Sequence, residues 1–293
     1  MMVDAPGIYQ ITEEEYHSAN VCIKPCFSSG VCKDILNKSP LHAWTNHPAL
    51  NPDYKEEPDD KFDIGKAGHS LFLEGIDNAT VIEADNWMKK ETKQARADAR
   101  AEGRIPLLRE QYERVKTMVE IANQTIALSD VHMAGWLSER SIFWTEDETW
   151  CKIRPDAIAP DLSAVLHYKT SRVSVNPATI DRLVLNMDYD IAEALYRRGV
   201  KAVTGKEPSS VFFFQETEPP YACSLIDLPP QWMETLGDDR IKMGLWIWQK
   251  CMATGVWPGY PLKVCTIDTP AYALAAWEMK RFALELLYKE EDL

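Results

Sequence analysis

The sequence predicts an α/β fold, a mixed central β-sheet flanked by helices in one domain over residues 1–293. Three observations carry this reading. Residues 151–171, CKIRPDAIAPDLSAVLHYKTS, read as two short strands, the first broken by APDL and the second rich in apolar residues. Residues 177–204 hold a long helical pattern that ends at Gly205, and SSVFFFQE and ACSLIDL supply two further strands. No internal repeat or linker separates two cores, and 293 residues with 45% apolar content and ten Trp can bury a large one.

Taken in order, GIYQITEEEYH reads as a short strand running into a helix, with Thr12 as N-cap and Glu15 at the capping-box position. A helix from about Ser28 closes near Ser39-Pro40. Proline and charge over residues 47–63 predict an exposed, mobile loop. Residues 62–75, FDIGKAGHSLFLEG, predict a helix with Asp63 as its cap and with Gly65, Ala67 and Gly68 clustered along it. Glycine is costly inside a helix, so the cluster points to close approach of another backbone or a ligand. Residues 86–103 read as a solvated helix or arm whose Lys89, Lys90, Lys93, Arg96 and Arg100 are available to phosphates. An amphipathic helix over 106–128, a strand over 139–144 and the acidic turn TEDET lead into the central strands. The 177–204 helix is interrupted near 186–189, a closing helix spans 232–254, and the tail from Pro270 is helical and acidic.

The net charge of −13 argues against a surface coated for duplex binding, although basic residues confined to one channel remain compatible with it. No apolar run of about eighteen residues predicts a membrane span. The first residues lack the basic and apolar regions of a signal peptide, so a cytoplasmic location is expected. Seven cysteines form no CxxC pair and read as reduced thiols. Cys22, Cys26 and Cys32 are close enough to suggest an iron–sulfur cluster, but their spacing is irregular and no distal set matches it.

The chemistry concentrates on the central strands. Asp156 lies near the end of the first, and His167 and Lys169, two apart on the second, share a face. An Asp followed about eleven residues later by an acid, any residue and a Lys resembles the core of PD-(D/E)xK nucleases. There two carboxylates hold Mg²⁺ against a phosphate, and the Lys orients water and steadies developing charge. In this chain the second acid is replaced, because the motif reads His167-Tyr168-Lys169.

The order of GIYQITEEEYH, SSGVCKDILNKSPLHAW, GKAGHSLFLEG, ERSIFW, RPDAIAP, HYKTS and YDIAEALYRRG resembles the nuclease domain of RecE-type exodeoxyribonuclease VIII and its phage relatives. That group shares a superfamily with lambda exonuclease and RecB-type nucleases. The resemblance covers nearly the whole chain and implies a PD-(D/E)xK nuclease-like core. It implies Lys169 and His69 as catalytic residues, where spacing alone makes His69 an ordinary helix histidine. It implies metal ligation by Asp156, by the Tyr168 carbonyl and, more weakly, by Glu139, with His167 in the acid's place. Tyr189 and Ala192 fall at the substrate-binding positions of a Y-x-x-Q helix, with Ala192 where the family has Gln. Glu193 is adjacent, but one helical step turns a side chain by about 100°.

The same resemblance implies Mg²⁺ or Mn²⁺ as cofactor, with Mn²⁺ favoured if His167 is a ligand. It also implies linear double-stranded DNA ends as substrate, a homo-oligomeric ring such as a tetramer, and a single-strand annealing protein as partner. On this reading His167→Asp with Ala192→Gln would restore lost activity. Three functions stay open: a metal-shifted or weakened exonuclease, an inactive relative that grips DNA ends or a partner, and a protein in which His167 and Lys169 are only structural.

Overall fold

The computed structural model describes residues 2–55 and 63–289, so Phe62 and much of the expected 47–63 loop lie outside the described residues. The chain divides into two compact units, Met1–Pro258 and Gly259–Leu293. The first unit begins with β1 (Gly7–Tyr9), α1 (Glu13–His17), α2 (Ser29–Asn37), α3 (Pro40–Thr45) and α4 (Asp63–His69). Then come β2 (Ala79–Ile82), α5 (Lys90–Ala101), β3 (Ile105–Leu108) and α6 (Arg109–Leu128). The central strands are β4 (Leu137–Ser138), β5 (Ser141–Glu146), β6 (Thr149–Ile153), β7 (Ala157–Ile158) and β8 (Ala164–Ser171). They are followed by α7 (Asp181–Asn186), α8 (Tyr189–Thr204), β9 (Ser209–Glu216), β10 (Cys223–Ile226), α9 (Pro230–Trp232) and α10 (Asp238–Thr254).

Local chemistry sets many of these boundaries. Thr12 and Glu15 form a reciprocal capping box at α1. Asp147 and Glu148 both take positive φ in the two-residue turn between β5 and β6, the backbone form that matches the twist of paired strands. Asp188, at φ 52°, breaks α7 from α8 where the interruption was expected, and Gly205, at φ 75°, closes α8.

The expectation of one central sheet holding the 139–144, 151–158 and 163–169 strands is corrected. β1, β5 and β6 form one antiparallel sheet, while β10, β9, β8, β7 and β4 form a mixed sheet with β8 and β9 parallel. Pro155 cannot donate to a ladder, and the chain leaves the first sheet there and enters the second at Ala157. Asp156 sits at that step between sheets. A further parallel pair, β2 with β3, takes in Pro106, so the helix expected from 106 begins at Arg109.

The main core packs α2, α8 and α10 against the sheets through Phe27, Trp144, Leu195, Phe212, Phe214 and Trp248. Gly199 lets α8 lie directly on β5 and β6, since a Cβ there would fall 2.6 Å from Ile153 Cδ1 and 2.7 Å from Trp144 Cζ3. His47 is buried, in a stretch expected to be exposed: its Nε2 lies 3.1 Å from the Cys26 carbonyl and its Nδ1 accepts from Ala49 N–H. Among its described residues the second unit carries one helix, α11 (Ala271–Lys289). Among the described residues no helix is long and apolar enough to cross a membrane.

Candidate active site

The glycines of α4 are where the site begins. A Cβ on Gly65 would meet Thr170 Oγ1 at 2.7 Å, and one on Gly68 would lie 3.7 Å from the Tyr168 hydroxyl. At Gly65 a side chain would crowd β8, so glycine is what lets α4 approach this closely there, which is the close contact the glycine cluster predicted, while Gly68 leaves room for ordinary contact. The approach carries His69, the last residue of α4, over Asp156. A π turn over Ser70–Glu74 follows, and its wider winding brings Glu74 back toward His69.

Asp156 is buried at the floor of a cleft lined also by His69, Glu74, Glu139, Tyr168, Lys169 and Tyr189. Its Oδ2 accepts from the Tyr168 backbone N–H at 2.7 Å and from Lys169 Nζ at 2.9 Å. Its Oδ1 lies 3.4 Å from His69 Nε2, while His69 Nδ1 lies 3.5 Å from Glu139 Oε1. One imidazole thus stands between two carboxylates. Glu139 also accepts from Arg154 Nε, and its own N–H donates to the Asp156 carbonyl at 3.2 Å. Its φ of 55° is left-handed, a strained backbone for a residue with a side chain, held here by those bonds.

Electrostatics follow from this geometry. Burial pushes the Asp156 carboxyl up, but the Lys169 ammonium and the His69 hydrogen bond outweigh it and hold the acid well below the usual range. Burial pushes Lys169 down, and Asp156 more than reverses that, so the ammonium is stabilised. His69 is likewise lowered by burial and raised further by Asp156 and Glu139. Glu139 is raised, first by burial and then by the charge of Asp156.

Two expected site residues do not border the cleft. His167 is only 2% exposed, and its Nε2 faces Glu193 Oε2 at 3.4 Å without hydrogen-bond geometry. Its ring packs against Tyr196 at 4.4 Å and Phe212 at 5.0 Å between centroids. Glu193, also buried, accepts from Ser210 Oγ at 2.5 Å and from Arg197 Nε at 2.8 Å. His167, expected as a cleft ligand, is instead buried away from the residues that line the cleft, its Nε2 facing the Glu193 carboxylate on α8 without a hydrogen bond. Ala192 is half-buried beside Glu193 and likewise stays off the cleft wall. Tyr189 does reach it, with Lys33 Nζ 5.5 Å above its ring.

Sequence reasoning missed Glu74. Five residues beyond His69 lie about 140° away on an α-helix, off the site face. The π turn makes i and i+5 neighbours, and no residue pattern announced it. Also unforeseen are Lys66, Arg104, Arg140 and Arg154 along the same cleft, with Trp136 and Tyr196 among them.

The donor set fits a divalent cation. Ligand atoms of His69, Glu74 and Glu139 all lie within 4.8 Å of one another, and Asp156 adjoins the other nitrogen of His69. Carboxylates suit Mg²⁺ and Mn²⁺, and an imidazole inclines the mixture toward Mn²⁺. A cation there would offset the burial and the Asp156 charge that together raise Glu139.

A family model described as a PDDEXK-like domain of unknown function (DUF3799) matches residues 28–268. The crystal structure of a "putative exonuclease" from Eubacterium rectale shares the fold, with a TM-score of 0.62 at 15% identity over 92% of this chain and 99% of that one. The crystal structure of SSO0001 aligns with a TM-score of only 0.27 at 14% identity, over 72% of this chain and 100% of that one, and carries no argument. No curated protein matches the chain by sequence. The family match spans most of the chain and includes every residue of the cleft centre from His69 to Lys169, so the chain belongs to the PDDEXK-like domain family.

Proposed function

We propose that this protein is a metal-dependent DNA exonuclease acting on the ends of linear double-stranded DNA, as the RecE-type enzymes it resembles do. The observation that supports it most is the convergence of Asp156, Lys169, His69 and Glu139 in one cleft. His69, Glu74 and Glu139 would hold the metal, with Asp156 on the other side of the His69 ring, so the carboxylate that accompanies Asp156 comes from Glu139 or Glu74 instead of position 167. A bound Mg²⁺ or Mn²⁺ would polarise the scissile phosphate and ease ionisation of a water.

The chain's own groups divide the remaining work. Lys169 stays protonated beside Asp156 and therefore donates to a phosphate oxygen and steadies developing charge. Asp156 is kept ionised and is fixed by the Tyr168 N–H. Lys66, Arg100, Arg104 and Arg140 along the cleft meet the substrate backbone, which reconciles DNA binding with a net charge of −13. Tyr189 and Trp136 offer flat faces to bases at an opened end. By the same resemblance, the product strand would pass to a single-strand annealing protein in phage-type recombination.

One observation favours a second reading, an inactive protein that grips DNA ends. His167 stands where the family places an acid, and it does not reach the cleft. End-labelled linear duplex, incubated separately with Mg²⁺ and Mn²⁺ beside a closed circular duplex, separates the two. The proposed enzyme releases label from the linear DNA alone, and Lys169→Ala abolishes release. Binding without release under both metals supports the second reading.

A further inference from the structure

The charges of α5 are sorted by side. At about 100° per residue, Lys90, Arg96 and Arg100 fall within about 60° of Lys93 around the helix. Its acids, Glu91 and Asp98, fall about 140–160° away, and the buried Thr92 and Ala99 lie between the two charged sides. Lys89 stands at the N-cap. Lys89, Lys90 and Lys93 are exposed and pair with no carboxylate among the described residues. Arg96 Cζ stands 5.0 Å from the centre of the Trp87 ring, and Arg100 donates to Asp63 at 2.9 Å.

Local stability does not account for this pattern. Cations at a helix N-terminus oppose its dipole, yet Lys89 and Lys90 open α5, and no side chain caps it. A break of a local rule points to a use outside the helix. The basic side also leads into the cleft. Arg100 lines the cleft wall with Arg104, which is anchored on the Ala79 carbonyl and Thr80 Oγ1. From Lys89 to Arg100 the helix rises about 16 Å, the axial length of about five phosphates on one strand of a duplex. α5 carries no large apolar side chain, so it lacks the face that a helix lying on an anionic membrane buries.

We propose that the basic side of α5, with Arg104 at its cleft end, is a docking surface for the phosphate backbone of duplex DNA outside the cleft. The choice of partner rests on the nuclease reading of the cleft, while the contact itself uses neither the metal nor Lys169.

Fluorescence anisotropy of a labelled blunt-ended duplex, in EDTA and across a range of salt, tests this surface. Lys89→Glu with Lys90→Glu and Lys93→Glu is expected to weaken binding about tenfold or more and to lower the slope of log affinity against log salt by about 2–3. This variant should melt no lower than the parent chain, because acids suit a helix N-terminus, and its Mn²⁺ affinity should be unchanged. Lys206→Glu with Lys242→Glu and Lys250→Glu changes the net charge equally at exposed sites off the cleft and should bind DNA as the parent does. A parent chain that does not bind duplex overturns the proposal, as does equal weakening in both triple variants. Parent-like duplex binding by the α5 variant also overturns it, and loss of binding to phosphatidylserine vesicles in that same variant would assign the surface to a membrane instead. A parent chain that cleaves with neither metal, yet loses duplex affinity only in the α5 variant, sinks the nuclease reading and upholds this surface.

Discussion

His167→Asp separates the two accounts of this site most sharply. If position 167 were a weakened ligand, the substitution would restore a carboxylate to the metal. The structure instead sets residue 167 against Glu193, 3.4 Å away and 1% exposed. A second carboxylate there faces the first across a buried gap. Two unit charges 4–5 Å apart repel by about 3–4 kcal/mol at an effective dielectric near 20, and protonating one of them to escape costs a comparable amount. Lost packing against Tyr196 and Phe212 adds to the penalty. Urea unfolding should show a lower midpoint at unchanged slope, equivalent to about 3–5 kcal/mol. Glu193→Gln added to His167→Asp should recover most of the loss, because the amide can donate to the new carboxylate. Mn²⁺ affinity should not improve in either variant, and the pair His167→Asp with Ala192→Gln should lose stability instead of gaining activity. A stable His167→Asp protein that binds Mg²⁺ more tightly would show that position 167 does serve the cleft.

Three further outcomes are expected. Gly65→Ala drives a methyl onto Thr170 Oγ1, so despite better helix propensity it should cost about 1–3 kcal/mol and weaken Mn²⁺ binding by displacing His69; a calorimetric titration that matches the parent chain would contradict this. Glu139→Gln keeps an acceptor for Arg154 but removes a ligand charge, so thermal stability should hold while Mn²⁺ affinity falls about tenfold or more; unchanged affinity would remove Glu139 from the ligand set. Burial lowers the His47 imidazole to about 4, below its unfolded value near 6.5, so the unfolded chain binds the extra proton between those values. Stability should therefore fall by up to about 3 kcal/mol as pH drops from 6.5 to 4, and a His47→Gln variant should show a flatter profile in urea unfolding across that window.

Much of the fold was legible because local signals agree with it. The capping box at Thr12, the break near Asp188, the stop at Gly205 and the runs SSVFFFQE and CSLI all lie where their residues imply. The partition into two sheets was not legible, since 151–158 reads as one strand unless Pro155 is given weight as a ladder breaker. Asp156, Lys169 and His69 were singled out from spacing and resemblance, the structure brings the three side chains together, and the glycines of α4 explain how His69 arrives. Glu74 was hidden by the π turn. His167 misled because strand periodicity gives the face of a side chain and not its depth. Two positions beyond it Lys169 reaches the cleft, while His167 ends in contact with a helix that carries its own carboxylate.

Release of nucleotides from linear duplex DNA is the measurement that bears most directly on the central claim. The parent chain, with Mn²⁺ and then with Mg²⁺, should release label from DNA ends, and Asp156→Asn and Lys169→Ala, verified as folded, should each abolish release. Release that persists in both variants, or a folded parent chain that binds DNA ends and cleaves with neither metal, would contradict the assignment of this cleft as a working nuclease site.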